Sequence, residues 1–153
     1  MGKVEEIHIA PQASSKVQQV DQARLETGKG IVGDRYHEIA GILMSRNQTV
    51  PDNHLTLIAK EELDTFLTNH QSELKYGVFR RNIVTSGIDL NALVGRKFKV
   101  GEALCQGMEL CEPCTTLART VHSAVLPDLV HRAGLRATIL SDGEVEVGGR
   151  ISE

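Results

Sequence analysis

The sequence predicts a mainly β fold with peripheral helices (α+β), in one domain that covers residues 1–153. Short β-branched runs and apolar–polar alternation recur along the chain, whereas helical periodicity is found in few places. Strands and helices do not alternate, which favours a barrel or a sandwich over a doubly wound sheet. Hydrophobic residues make up 41% of the chain and aromatic residues only 3%, so we expect a core of Val, Leu, Ile and Ala.

The predicted strands follow a period of two. Ile7 and Ile9 alternate with His8 near the start of the chain. The same kind of alternation, or a run of β-branched residues, recurs further along. These runs predict strands at residues 54–58, 81–85, 97–100 and 103–111.

A hairpin is predicted near the end of the chain. Residues 135–140 and 144–147 both fit strands, and Ser141, Asp142 and Gly143 join them. Asp-Gly tolerates the positive φ of a tight turn, so these two strands should pair with each other.

Helices are expected at three places. An amphipathic helix should begin at about Lys60, because apolar residues follow at helical spacing. Residues 126–134 fit a short helix, with Pro127 in its first turn and a glycine at its end. A third short helix would begin at Cys114 or Thr115.

Bulk properties exclude several classes of function. The net charge of −3 does not favour binding to nucleic acid or to an anionic membrane. The N-terminus lacks the apolar stretch of a signal peptide, and no apolar run approaches the ~20 residues of a membrane span. We therefore expect a cytoplasmic protein. Three cysteines are too few, and odd in number, for a disulfide framework, so reduced thiols are expected.

The stretch Glu26–His37, ETGKGIVGDRYH, places glycines close to a cluster of functional side chains. Backbone amides of such a stretch can approach an anion closely, and a neighbouring arginine can add charge. Its glycine spacing fits neither a P-loop nor a dinucleotide fingerprint. Composition alone favours a solvent-facing connection. The compact Asp-Arg-Tyr-His cluster keeps an anion-binding interpretation open.

The stretch 109–119, ELCEPCTTLAR, allows three interpretations. Structural zinc would use Cys111 and Cys114 with His122 and His131, but eight residues lie between those histidines and a second Cys-x-x-Cys is missing. No zinc is therefore expected. A dithiol redox pair lacks the βαβ context of thioredoxin-like folds. The third interpretation is a single reactive thiolate at Cys114, at the N-terminal edge of a helix.

Taken together, the motifs resemble the MOSC domain, the C-terminal domain of molybdenum cofactor sulfurases, which also occurs as free-standing bacterial proteins. The resemblance extends from about Val4 to Leu140. It rests on the order of a Gly-Asp-Arg turn, an Arg-Asn strand start with Thr-x-Gly, LVGRKFKVGEA, and a cysteine after the following strand. The resemblance implies a β-barrel and binding of the molybdenum cofactor, a pterin that carries a phosphate.

The resemblance also implies which residues form the site. Cys114 stands at the family's key cysteine, which either ligates molybdenum or carries sulfur as a persulfide. The residues that would bind the cofactor are Gly33, Asp34, Arg35, His37, Arg81, Asn82 and Thr85. Arginine suits a phosphate because its planar fork pairs with two oxygens, and asparagine offers a donor and an acceptor to the pterin edge. Cys105 is instead expected to be a buried, small apolar residue.

Two functions follow from this resemblance. The first is a molybdenum-cofactor protein in a reductase of N-hydroxylated compounds, with electrons from a partner, since three cysteines cannot hold a four-thiolate iron–sulfur cluster. The alternative is a non-catalytic persulfide carrier, supplied by a separate pyridoxal-phosphate cysteine desulfurase. A structural module with an idle thiol is the third and least favoured. The expected partners are thus the pterin cofactor and an electron-transfer protein or desulfurase, without nucleic acid or membrane.

Overall fold

The computed structural model describes residues 2–12, 16–51, 54–112, 124 and 128–153. Cys114, His122 and the helix expected to begin at Cys114 or Thr115 lie outside the described residues. The described strands are β1 Gly2–Ile9, β2 Gln18–Val20, β3 Gln22–Glu26, β4 Gly30–Ile31, β5 Leu55–Ala59, β6 Ile83–Ser86, β7 Lys97–Val100, β8 Ala103–Leu110, β9 Leu135–Ile139, β10 Gly143–Glu146 and β11 Arg150–Ser152. The α-helices are α1 Arg35–Ser45 and α2 Lys60–Asn69, and the 3-10 helices are Tyr76–Phe79 and Asn91–Leu93.

In the described part of the chain, seven strands close a β-barrel in the order β1, β11, β7, β8, β9, β5, β6 and back to β1. The neighbours are antiparallel except β5 and β6, which run parallel with Leu57 opposite Ile83. The last part of β1 also pairs with β2, outside the ring. A separate sheet has the order β10, β3, β4. The predicted mainly β fold, the barrel and the strands near residues 54–58, 81–85, 97–100 and 103–111 are confirmed.

The core has two parts because the barrel wall buries both of its faces near β5 and β6. Alternate residues of the strands fill the barrel, for example Leu57, Ile83 and Leu135. On the outer face, α2 packs Leu63 and Phe66 against the wall, so the predicted helix from Lys60 is confirmed. The second core contains Ile58, Leu63, Phe66, Phe79, Val84, Leu129 and Ala133.

The predicted C-terminal hairpin is wrong. β9 pairs with β5 and β8, whereas β10 pairs with β3 in the other sheet. The Asp142 carboxylate accepts hydrogen bonds from the Thr27 amide and hydroxyl, both at 2.7 Å, so it anchors the chain to the small sheet. Gly143 lies against the backbone of Ala103, where a Cβ would come within 2.5 Å of the Ala103 nitrogen. The chain therefore crosses from one sheet to the other at this point.

Two helical regions also differ from expectation. The glycine-rich stretch continues into α1, which the apolar pattern did not predict, because Ile39, Ile42 and Met44 on this helix are exposed. The predicted helix at 126–134 falls partly outside the described residues. Asp128 is helical, and its amide donates to the carbonyl of Ala124 at 3.0 Å, whereas residues 129–133 form bends and turns. His131 has a φ of +61°, which a helix does not contain. Among the described helices, none has the length and apolar character needed to cross a membrane.

Candidate functional site

The Gly-Asp-Arg turn forms the start of α1. Gly33 has a φ of +92°, which turns the chain between β4 and the helix. The buried Asp34 carboxylate then caps the helix, accepting hydrogen bonds from the Tyr36 amide at 3.3 Å and the Ala10 amide at 2.8 Å. Asp34 thereby ties α1 to the end of β1.

Arg35, the first residue of α1, is mostly buried, with 15% of its side chain exposed. Its guanidinium carbon lies 4.4 Å from the centroid of the Tyr36 ring, and Nη2 donates to the Tyr36 hydroxyl at 3.3 Å. Its Nη1 lies 3.6 Å from Oδ1 of Asp34. The capping carboxylate, the guanidinium and the aromatic ring therefore form one unit.

Two further arginines join this unit. Burial is the main cause that lowers the pKa of Arg80, and the positive charge of Arg35 lowers it further. Nη2 of Arg80 donates to the carbonyl of Gln12 at 3.5 Å. Arg136 on β9 forms a hydrogen bond with Tyr36. Burial opposes the charge of Arg136, but Cys111, the Tyr36 hydroxyl and Glu109 outweigh it and raise the pKa of Arg136. We call Arg35, Arg80 and Arg136 the arginine cluster.

Arg81 has different partners. Its Nε donates to the carbonyl of Ala133 at 3.0 Å, Nη1 to that of Phe79 at 3.3 Å, and Nη2 to that of Cys111 at 3.3 Å. These bonds engage all three guanidinium nitrogens with backbone. A cofactor contact by Arg81 stays a prediction.

Asn82 bridges three strands of the barrel wall. Its buried side-chain oxygen accepts from the amide and hydroxyl of Thr56, each at 3.1 Å, and its side-chain nitrogen donates to the carbonyl of His8 at 3.1 Å. Thr56 is in register with Arg136 on the neighbouring strand. Asn82 therefore stiffens the wall at the level of the arginine cluster, and its contact with a pterin stays a prediction.

Thr85 and His37 make contacts elsewhere. Thr85 is buried, and its hydroxyl donates to the carbonyl of Ile58 at 3.4 Å. His37 lies on α1, and its Nε2 is 2.5 Å from a carboxylate oxygen of Glu26 on β3. The hydrogen bond to His37 is the main cause that lowers the pKa of Glu26. The predicted cofactor contacts of Thr85 and His37 are not tested by these bonds.

Cys111 is the described cysteine nearest in sequence to Cys114. Its side chain is buried, its amide donates to the carbonyl of Gly134 at 2.8 Å, and its carbonyl accepts from Arg81. Arg136 interacts with Cys111 as well. The chain therefore leaves β8 toward Cys114 from a point held between Arg81 and Arg136.

Cys105 behaves as the sequence predicts. It is fully buried within the barrel core, and burial raises the pKa of its thiol to about 12. A thiol with this pKa is not a nucleophile near neutral pH.

Comparison with known proteins identifies the chain at this point. The family model of the MOSC domain matches residues 44–152. The chain belongs to the MOSC domain family. Among curated proteins, none matches it significantly. The family match includes Arg81, Asn82, Thr85 and Cys114, whereas Gly33, Asp34 and Arg35 precede it.

Solved structures resemble this MOSC domain along nearly its whole length. The YuaD protein from Bacillus subtilis is 19% identical, with a TM-score of 0.80, and the alignment covers 99% of this chain and 94% of that one. YiiM from Geobacillus stearothermophilus is 14% identical with a TM-score of 0.75, covering 99% and 74%. YiiM from Escherichia coli is 20% identical with a TM-score of 0.70, covering 99% and 69%. At these identities the likeness shows the fold alone.

Sequence reasoning missed part of the arginine cluster of this MOSC domain. Arg136 was not singled out, because one arginine inside an apolar strand carries no local motif. Arg80 and Arg81 are adjacent in sequence, and such a pair is typical of a solvated surface. The usable signal was the alternation in β9, where Leu135 and Ala137 face the core, so Arg136 must face outward.

A cavity of about 550 Å³ lies at the far end of β6. Gly87, of the Thr-x-Gly motif, lines it together with three acidic residues and with His131 and Arg132. The Gly87 amide donates to a carboxylate oxygen of Glu61 at 2.7 Å. A lining of three carboxylates with one arginine and one histidine suits an anionic cofactor less well than the arginine cluster does.

Proposed function

We propose that this MOSC domain binds the molybdenum cofactor and, with Cys114 as its reactive thiolate, works in a reductase of N-hydroxylated compounds. Family membership supports the cofactor. The observation that carries the proposal is the arginine cluster, which gathers positive charge beside the base of the Cys114 segment in a chain of net charge −3.

The arginine cluster fits the cofactor phosphate. Burial, and after it the positive charge of Arg35, lower the pKa of Arg80, so the two arginines disfavour each other's charge. A bound dianion would relieve that repulsion, and planar guanidinium groups match phosphate oxygens in pairs. Partial burial of Arg35 and Arg136 would strengthen each such bond by limiting competition from water. The cluster thus supplies the binding chemistry that a phosphate needs.

Each residue then has a stated task. Arg35, Arg80 and Arg136 would hold the phosphate, and Tyr36 would orient Arg35 and Arg136 through its shared hydroxyl. Asp34 would fix the start of α1 and thereby Arg35. Cys114 would supply a soft thiolate ligand, which suits molybdenum. When bound, the cofactor supplies two-electron redox chemistry at its metal.

The overall reaction is balanced by two electrons and two protons. An N-hydroxylated amine, R–NHOH, would lose its N–O bond and give R–NH₂ and water. The electrons would come from a separate electron-transfer protein, because three cysteines are too few to hold a four-thiolate cluster.

The test is the metal and pterin content of the protein purified from a cell that makes the cofactor. We expect molybdenum and pterin in equal amounts in the wild type, and loss of most molybdenum in Cys114→Ala. Mass spectrometry after incubation with a desulfurase and cysteine is the matched measurement for the persulfide carrier. If the protein contains no molybdenum and gains one sulfur on Cys114, our proposal is wrong and the persulfide carrier is favoured.

A further inference from the structure

We propose that Arg81 is a positioning residue, which holds together the two ends of the segment that carries Cys114. This inference rests on the proposed function only for the role of Cys114 as the reactive thiol. The segment runs from Cys111, just after β8, to Ala133, just before β9. Arg81 donates to the carbonyls of both of these residues, at 3.3 Å and 3.0 Å.

A third bond fixes the guanidinium itself. Nη1 of Arg81 donates to the carbonyl of Phe79, two residues earlier in the chain. Phe79 is fully buried in the second core, so this carbonyl is a rigid anchor. The guanidinium thus fixes both ends of the segment relative to the second core.

Other hydrogen bonds also join the two ends of this segment. The Cys111 amide donates to the carbonyl of Gly134 at 2.8 Å, which continues the pairing of β8 and β9. On the far side of Arg81, a carboxylate oxygen of Glu112 accepts from the His131 amide at 2.7 Å, and the other lies 2.9 Å from Nδ1 of His131. Arg81 therefore occupies the middle of three successive links, between the sheet and the Glu112–His131 pair.

The geometry requires arginine rather than any cation. A lysine ammonium is a single point with three donors and lacks the planar fork that reaches three carbonyls from three directions. Lysine at this position keeps the charge but loses the link. If Arg81 were instead a phosphate ligand alone, the lysine variant would keep much of the anion affinity and would leave the segment unchanged.

The barrel should survive the loss of this link. β8 and β9 pair along their whole length without Arg81, from Cys105 opposite Ile139 to Leu110 opposite Leu135. The effect of a substitution should therefore be confined to the segment from Cys111 to Ala133. This locality separates a positioning role from a general contribution to stability.

The experiment compares Arg81→Lys and Arg81→Met with Arg132→Lys in the cofactor-free protein. Arg132 is the matched control, because it lies at the same end of the segment as Ala133 but pairs with Glu62 at the surface, at 3.9 Å. Hydrogen–deuterium exchange should accelerate roughly tenfold or more at the two described ends of the segment in both Arg81 variants, at the bonded amides of Cys111, His131 and Arg132. Exchange in β7 and β8 should stay at the wild-type rate, as should every peptide of the control.

The second readout is the pH midpoint of Cys114 alkylation by iodoacetamide. In the Arg81 variants it should move toward that of an unstructured cysteine, about 8.5. Glu112→Ala removes the outermost link at an exposed position and should give a smaller change of the same kind. Wild-type exchange and an unchanged midpoint in Arg81→Lys, or faster exchange across the whole barrel, would overturn the inference. Because the cofactor is absent, a failure of the proposed function would leave this result standing.

Discussion

Arg136 carries more of the site than its place in the sequence suggests. Its side chain leaves β9 on the outer face of the barrel and joins Tyr36 on α1 to the end of β8 at Cys111. It also opposes Thr56, which Asn82 fixes in place. One residue thus connects the helix, the wall and the cysteine segment.

Replacing Arg136 by glutamine should weaken cofactor binding roughly 10- to 100-fold, the usual effect of losing a charge-assisted hydrogen bond. The measurement is the pterin retained per chain after purification at fixed ionic strength. Arg96→Gln is the control, because Arg96 pairs with Glu153 at the surface, at 3.5 Å. Equal retention by the two variants would remove Arg136 from the site.

Cys105 should resist alkylation in the folded protein. Its pKa in the folded state is about 12, above the value of about 8.5 in an unfolded chain. Burial of the neutral thiol therefore contributes its full stability below pH 8.5, and this contribution is lost as the pH rises toward 12. Mass spectrometry after iodoacetamide at pH 8 should find Cys105 unmodified until urea is added. Modification of Cys105 in the native protein would contradict this placement.

At the scale of elements, the stability of α1 depends more on its N-cap, Asp34, than on burial of apolar side chains. Ala40 is the buried residue of this helix, whereas Ile39, Ile42 and Met44 are exposed. Apolar periodicity therefore could not predict α1 from sequence. The Gly-Asp-Arg turn indicates an anion site as readily as a helix start. Several short polar residues can cap a helix, so the aspartate alone does not predict α1.

Asp34→Ala should lower the free energy of unfolding by about 2–3 kcal/mol, since it removes the helix cap and leaves the buried Ala10 amide without its acceptor. Urea unfolding followed by circular dichroism measures this change. Asp34→Asn keeps one acceptor and should lose less. Glu38→Gln, at an exposed position on the same helix, should change stability by less than about 0.5 kcal/mol. A loss in Asp34→Ala no larger than in Glu38→Gln would count against the cap.

The predicted hairpin shows where local reasoning fails for strands. Residues 135–140 and 144–147 have the right alternation, and both do form strands. Their partners were decided by contacts far away in sequence, because Asp142 bonds Thr27 and Gly143 packs on Ala103. Strand existence follows from local pattern, whereas pairing follows from the whole topology.

At the scale of the whole molecule, the barrel was predictable and the arginine cluster was not. Period-two alternation identifies β7 directly, and a run of β-branched residues identifies β6. The cluster, by contrast, joins α1, the residue after a 3-10 helix, and β9, which are brought together only by barrel closure. The cofactor contacts expected of Arg81 and Asn82 stay predictions, and the described contacts of these residues are with backbone and neighbouring side chains of the chain itself.

The arginine cluster and the cavity at the end of β6 differ in the charges that they present. The chain carries a net charge of −3, and the cavity at the end of β6 is lined by Glu61, Glu62 and Asp89 together with His131 and Arg132. The residues of the arginine cluster do not line this cavity, and their positive charge should attract an anionic ligand to their own side of the barrel. This asymmetry makes the location of the cofactor a direct test.

The decisive measurement is a crystal structure of the cofactor-loaded protein, with the metal located by anomalous scattering at the molybdenum edge. We expect the phosphate within hydrogen-bonding distance of Arg35, Arg80 and Arg136, and the metal at the Sγ atom of Cys114. A phosphate bound instead in the cavity beside Gly87, or a metal remote from Cys114, would contradict the account.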